Sequence, residues 1–255
     1  MRGVAINAGK IYIATSTRLL AFTPELKIIK SWSCPYLLDC HGIAIWDGVL
    51  YLTSAGFDSI IGFDLASERF HWAMHVQTRN YQFKADSFDP GSEEGPLAMG
   101  KLLLNNIFCN QHGMYISGLN TGGLLHFNGK TVNMAVTLPK NARDAQPFRD
   151  GVIFNDTDAG ALRYTGRGEG EEDRAMRMPQ IDEDQLTHSG AIRDGIAEPG
   201  FARGLCVLSD RLVAGGSSPA TIAIYDLAKI RTLGTINLSR DVRESIHSIA
   251  HWPDA

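Results

Sequence analysis

One block of residues recurs along the chain, and that recurrence limits the fold more than any other feature. From His41 to Val76 the sequence reads HGIAIWDGVLYLTSAGFDSIIGFDLASERFHWAMHV, four short apolar runs separated by a DG turn, a polar loop and an ASER turn. Runs of this length ending at turn residues are strands, and Asp-Gly between two of them signals a hairpin. The same pattern starts again at Arg2, at Asn105–Asn106, at Asp144 and at Arg203, with a partial copy, HSIAHW, from His247. Setting the turns in register makes Arg2, His41, Asn105, Asp144 and Arg203 equivalent, at separations of 39, 64, 39 and 59 residues, with His247 a further 44 on. Repeats of about 40–50 residues, each a four-stranded meander, are the blades of a β-propeller.

The expected fold is therefore all-β, a single propeller domain over 1–255 with five blades of four antiparallel strands. Six blades is the alternative, should HSIAHW open an incomplete sixth rather than close the ring as an added strand. Blades stack face to face, so their inner strands should read as nearly continuous apolar runs, as VLYL and TIAIY do. Two stretches exceed the repeat, 77–104 and 167–200, and either is long enough to cover one mouth of a central channel. The second, with RGEGEEDRAMRMPQIDEDQ, has the composition of a solvated loop.

Composition agrees and excludes several functions. The 26 Gly and 10 Pro supply many turns, while 44% hydrophobic residues suffice for a core. A net charge of −4 gives no basic footprint for nucleic acid or an anionic membrane. No stretch approaches the roughly 18 apolar residues of a membrane helix, and the opening is not a signal peptide, so a cytoplasmic protein is expected. Four cysteines are present; Cys109 and Cys206 lie in strand-like runs as small hydrophobes, and Cys34 and Cys40 lack C-x-x-C spacing, so reduced core thiols are expected.

FARGLCVLSDRLVAGGSSPATIAIYDL followed by DVRESIHSIAHWP resembles the C-terminal signature of an uncharacterised bacterial β-propeller family known only as conserved hypothetical proteins. RGVAINAGKIYIATS, DCHGIAIWDGVLYLTSAGFDSI and VIFNDT resemble its other blades. Where such proteins often open a blade with His-Leu-Asn, this chain has Leu103, Leu104 and Asn105. The resemblance implies the propeller fold and carries no reaction.

A propeller gathers the starts of its innermost strands around one axis, so side chains scattered in sequence should meet. Arg2, Arg203, Asn105 and Asp144 are the expected ligand-binding residues, with the two guanidiniums suited to a small anion. His41 and His247 are expected either as acid–base groups or as ligands to a divalent metal, with Glu244 as proton acceptor or orienting group for His247. The function read from this pattern is a small-molecule-binding or catalytic propeller with a His/Arg-lined axial site. Its alternative is a non-catalytic protein-interaction scaffold, in which the same polar groups merely bridge blades. HWAMH and HSIAH have the two-His spacing of a helical zinc protease, but Trp72 and Ser248 stand where Glu is required and both segments read as extended. Cys40 and His41 are adjacent on one strand and should point to opposite faces, which argues against a nucleophile–base pair.

Overall fold

The structure, a computed structural model, describes residues 2–167, 173–193 and 199–252. It is all-β. Helix among the described residues is limited to one four-residue turn, Gly190–Arg193, and two three-residue 3-10 turns, Ala55–Phe57 and Glu183–Gln185. The strands form five antiparallel meanders, each the blade of a β-propeller.

The first sheet holds β1 (Gly3–Asn7), β2 (Lys10–Ala14), β3 (Arg18–Phe22) and β4 (Ile28–Ser33). The second holds β5 (Cys40–Trp46), β6 (Val49–Ser54), β7 (Ser59–Asp64), β8 (Arg69–Arg79) and a fifth strand, β9 (Gln82–Phe88). The third is β10 (Leu104–Asn110), β11 (Gly113–Gly118), β12 (Gly123–Phe127) and β13 (Val132–Thr137). The fourth is β14 (Ala142–Phe148), β15 (Gly151–Asp156), β16 (Ala161–Thr165) and β17 (Arg174–Arg177), and the fifth is β18 (Ala202–Val207), β19 (Leu212–Ser217), β20 (Thr221–Asp226) and β21 (Arg231–Asn237). Each blade begins within two residues of the position the repeat assigns it.

Local chemistry explains the hairpins. Asp47 and Gly48, with φ of 48° and 74°, form the two-residue turn between β5 and β6 that a DG pair favours, because both central residues need positive φ there. By contact density the chain divides into two compact units, one running to Lys140 and including Trp252, the other Asn141–His251. Within the first unit, Leu19, Leu50, Leu52, Ile61 and Phe63 interleave the first and second sheets, and Ile60, Met74, Leu104, Ile116 and Leu125 interleave the second and third. The second unit packs its two sheets through Ile153, Leu162, Tyr164, Val213 and Tyr225. Each such side chain, fully removed from water, contributes about 1.5–3 kcal/mol. Strands inside a blade are buried on both faces, whereas the outermost β4 and β21 are almost wholly exposed.

Three expectations change. The stretch 77–104 is not a loop over a channel mouth: β8 runs on to Arg79, turns at Asn80–Tyr81 (φ 50° and 61°) and returns as β9, so much of it widens the second blade. Its return to β10 is pinned by the buried Asp58, whose carboxylate accepts the backbone N–H groups of Lys101, Leu102 and Leu103 at 2.6–3.0 Å. Within 167–200, Arg174–Arg177 is the fourth strand of the fourth blade rather than solvated loop, held by pairing with β16; residues 168–172 and 194–198 of that stretch lie outside the described residues. HSIAHW forms no strand. Ile246, Ser248 and Ile249 instead pack against Gly204 of β18 by side-chain and backbone contact.

Candidate functional site

Four strands that open a blade share one irregularity. Register jumps between Cys40 and Ile43 on β5, Leu104 and Asn106 on β10, Arg143 and Gln146 on β14, and Ala202 and Leu205 on β18. The residues thrown out of register include His41, Asn105, Asp144 and Arg203, the positions that the repeat aligns. A β-bulge leaves a residue unpaired and re-aims its side chain, which is why bulges recur beside binding sites. Strand β1 pairs regularly from Gly3, and Arg2 precedes it with its backbone N–H donating to the Ala14 carbonyl at 2.9 Å.

In the first unit the structure joins Arg2 to His41. Arg2 Nη1 donates to His41 Nε2 at 2.9 Å and to Asp39 Oδ1 at 3.1 Å, and Ser16 Oγ donates to the same Asp39 oxygen at 3.1 Å. Arginine has no acceptor, so His41 Nε2 must accept and the ring is the neutral tautomer with its proton on Nδ1. Asp39 takes a left-handed backbone, φ 52°, one residue before β5, with its N–H on Ser16 Oγ. The Arg2–Asp39 pair is 33% and 51% exposed, so it is worth at most about 1 kcal/mol and serves to orient the guanidinium and offset its charge. The His41 bulge is held from behind by Thr53, whose Oγ1 accepts from the N–H of Gly42 at 2.9 Å and of His41 at 3.3 Å.

Strands β1, β5 and β10 run close because glycines separate them. A Cβ on Gly3 would lie 2.4 Å from the His41 carbonyl oxygen, and one on Gly42 would lie 2.7 Å from Asn106 Cα and 3.0 Å from the Asn105 carbonyl oxygen. Asn105 is thus the next bulged residue beside His41–Gly42. It is only 8% exposed, and among the described residues neither Oδ1 nor Nδ2 of its carboxamide has a hydrogen-bond partner; Ser117 Oγ, on the neighbouring strand, is buried and unpartnered in the same way.

In the second unit Asp144, with φ 54°, turns its carboxylate onto the fifth blade: Oδ2 accepts from Gly204 N at 2.8 Å and from Asn155 Nδ2 at 2.9 Å. Asn155 Nδ2 also reaches the Gly204 carbonyl, so Asp144 and Asn155 together tie β14 and β15 to the bulge that carries Arg203. Gly204 has φ 81° and Ile246 3.1 Å from where a Cβ would stand, so the segment bearing His247 lies against that same bulge. Glu244 is exposed, with its backbone N–H on the Asp241 carbonyl, while Arg243 forks onto the Asp241 carboxylate, which this bond holds well below the usual range.

Sequence reasoning missed Asp39, Thr53, Asn155 and Arg143. The second-strand residues facing the bulges carry a legible signal: in VLYLTS, MYISG and VIFND the apolar run ends on Thr53, Ser117 and Asn155. Arg143 is half-buried, its guanidinium carbon 5.3 Å from the Phe201 ring centroid, and burial lowers its pKa.

Burial pushes the Cys40 and Cys109 thiols up to about 12, so neither is a thiolate nucleophile at neutral pH, and with Cys34 and Cys206 they are all free. His71 and His75 lie on β8, in extended chain. His112 sits exposed in a turn, and His188 Nδ1 is 3.0 Å from Asp241 Oδ2. Among the described residues no group of three or more His, Cys, Asp or Glu could hold a metal ion.

No family model and no curated protein matches the chain. Solved structures do. The computationally designed Ika8 protein aligns with 98% of this chain and 90% of its own at 10% identity and a TM-score of 0.53. The RRP9 WD40 repeats align with 92% of this chain at 10% identity and a TM-score of 0.57, and U3-55K with 92% at 11% and 0.54. This chain spans 62% and 63% of those two. At such identities the likeness is one of fold, and the fold is the β-propeller. No helix among the described residues is long and apolar enough to cross a membrane, which says nothing of membrane β-barrels.

Proposed function

We propose that this β-propeller binds a small polar molecule at the bulged ends of β5 and β10, with Asn105 as the recognition group and His41 and Arg2 at its margin. The observation that carries this reading is the Asn105 carboxamide, buried with neither polar atom partnered among the described residues. A donor and an acceptor left together without partners cost about 1–3 kcal/mol, and a ligand presenting the complementary acceptor and donor, such as an amide or a lactam, offsets that cost. Asp39 offsets the charge of Arg2, which favours a neutral ligand over the small anion expected from two arginines. His41 already spends Nε2 on Arg2, which supports binding rather than proton abstraction at that nitrogen.

In the second unit Arg203 and His247, at the β18 bulge, are the remaining ligand-binding or catalytic candidates, Asp144 being committed to bridging blades. Among the described residues no group of three or more His, Cys, Asp or Glu supports the metal reading of His41 and His247. Membership of the uncharacterised bacterial propeller family remains part of this proposal, as does a single domain over 1–255. Four free cysteines, three of them buried, support a reducing compartment such as the cytoplasm. The scaffold alternative is favoured by a different feature, a lysine-lined groove between two edge strands of the first unit.

The test is a thermal-shift screen of the purified protein against small amides, lactams, nucleobases and carboxylic acids, with Asn105→Leu and Arg2→Ala in parallel. A ligand at 100 times its Kd stabilises by about 2.7 kcal/mol. Amide-type compounds should raise the melting temperature of the parent protein and of Arg2→Ala but not of Asn105→Leu. Identical responses from the parent and Asn105→Leu to every compound would overturn the assignment.

A further inference from the structure

Among the described residues the second blade differs from the other four in having a fifth strand. Its last strand, β9, is an edge, paired with β8 alone, and β13 of the third blade is likewise paired only with β12. Between them lies a groove of about 530 Å³, within the first unit and separate from the bulges. Its lining includes the apolar Phe83, Val132 and Met134, the fully exposed ring of Tyr81, and two exposed lysines, Lys84 and Lys130. No Asp or Glu lines it, and among the described residues neither ammonium has an acidic partner. In a chain of net charge −4, two unpaired cations flanking an apolar floor form a local inversion of charge.

We propose that this groove receives an extended acidic peptide segment of a partner protein. Three features match such an occupant. The edge of β9, seven residues and roughly 20 Å long, offers main-chain groups to an added strand. In a strand, alternate side chains point the same way, so one set of residues can lie on Phe83, Val132 and Met134 while the other presents carboxylates to Lys84 and Lys130. Exposed hydrophobic edges invite unwanted pairing, and natural sheets blunt them with lysine; the same lysines leave the edge open to a strand of opposite charge.

The experiment uses the full chain and a fluorescein-labelled octapeptide of alternating Glu and Val, read by fluorescence anisotropy at low salt. Binding below about 1 mM is expected. It should weaken at least tenfold in Lys84→Glu/Lys130→Glu and pass in that variant to the matching Lys–Val peptide. An alternating Glu–Pro peptide, which keeps the charge but cannot pair as a strand, should bind at least tenfold more weakly than Glu–Val. Both lysines are exposed, so the melting curve of the variant should match the parent; if it does not, Lys84→Gln/Lys130→Gln serves in its place. Absence of binding at 1 mM, equal affinity for Glu–Pro, indifference to both lysine variants, or occupation of the groove by a second copy of the chain would each overturn the proposal.

Discussion

Replacing Asn105 with leucine should make the ligand-free protein more stable, the reverse of what most core substitutions do. Leucine has nearly the same shape as asparagine and no polar atoms. Asn105 is 8% exposed and its carboxamide has no partner among the described residues, so folding strips water from a donor and an acceptor without replacing either bond. Mutational data put such a loss at about 1–3 kcal/mol, and apolar replacement of an unsatisfied group recovers much of it. For a chain of this length each kcal/mol moves the melting temperature by about 2–4 °C, so a recovery of about 2 kcal/mol corresponds to a rise of about 4–8 °C. Asn105→Asp should move the other way, since an ionised carboxylate is costlier to bury than an amide. Differential scanning calorimetry of the three proteins in plain buffer reads both signs at once. A fall for Asn105→Leu would mean that the amide is already satisfied in the folded protein, and the argument for a ligand at this position would fail with it. Stability gained at the expense of ligand response is the pattern expected of a functional residue.

Further outcomes follow from other contacts. Asp58→Ala orphans three buried or half-buried N–H groups at Lys101–Leu103 and should cost about 2–4 kcal/mol in urea denaturation; a loss under 0.5 kcal/mol would show that the loop re-forms without its anchor. The thiols of Cys40 and Cys109 titrate near 12 when folded and about 8.5 when unfolded, so their stabilising contribution is complete below pH 8.5 and is lost as pH rises toward 12. The slope should reach about 1.4 kcal/mol per pH unit per thiol, and Cys40→Ala/Cys109→Ala should flatten it; an unchanged slope would refute the assignment. Removing residues from Arg243 onward strips Ile246 and Ile249 from Gly204, so the melting temperature should drop by several degrees, and an unaltered melting curve would mean the tail carries no packing. One cooperative calorimetric transition is expected for a single domain; two transitions, separable by a cut near Lys140, would divide it.

The amino-acid sequence by itself determined the blade and its repetition. Apolar alternation and turn residues act over a few positions, so DG at Asp47–Gly48 and the run VLYL specify their hairpin whatever surrounds them, and a pattern present five times specifies five such sheets. Register then aligned His41, Asn105, Asp144 and Arg203, because bulges fall at equivalent places in equivalent strands. What those side chains do was decided only by tertiary structure. Arg2 finds Asp39 across 37 residues and Asp144 finds Gly204 across 60, and no local pattern encodes either meeting. The carboxylate of Asp144 thereby becomes a bridge between blades, while the carboxamide of Asn105, equally polar in sequence, is buried without a partner among the described residues. Edge strands were illegible for a related reason. QFKADSF and RAMR alternate too weakly to stand out alone, and they become β9 and β17 because a neighbouring strand supplies the hydrogen bonds that their own residues cannot. HSIAHW has the better strand composition and forms none: Ile246, Ser248 and Ile249 lie against the Gly204 bulge instead, a tertiary contact that no local pattern encodes.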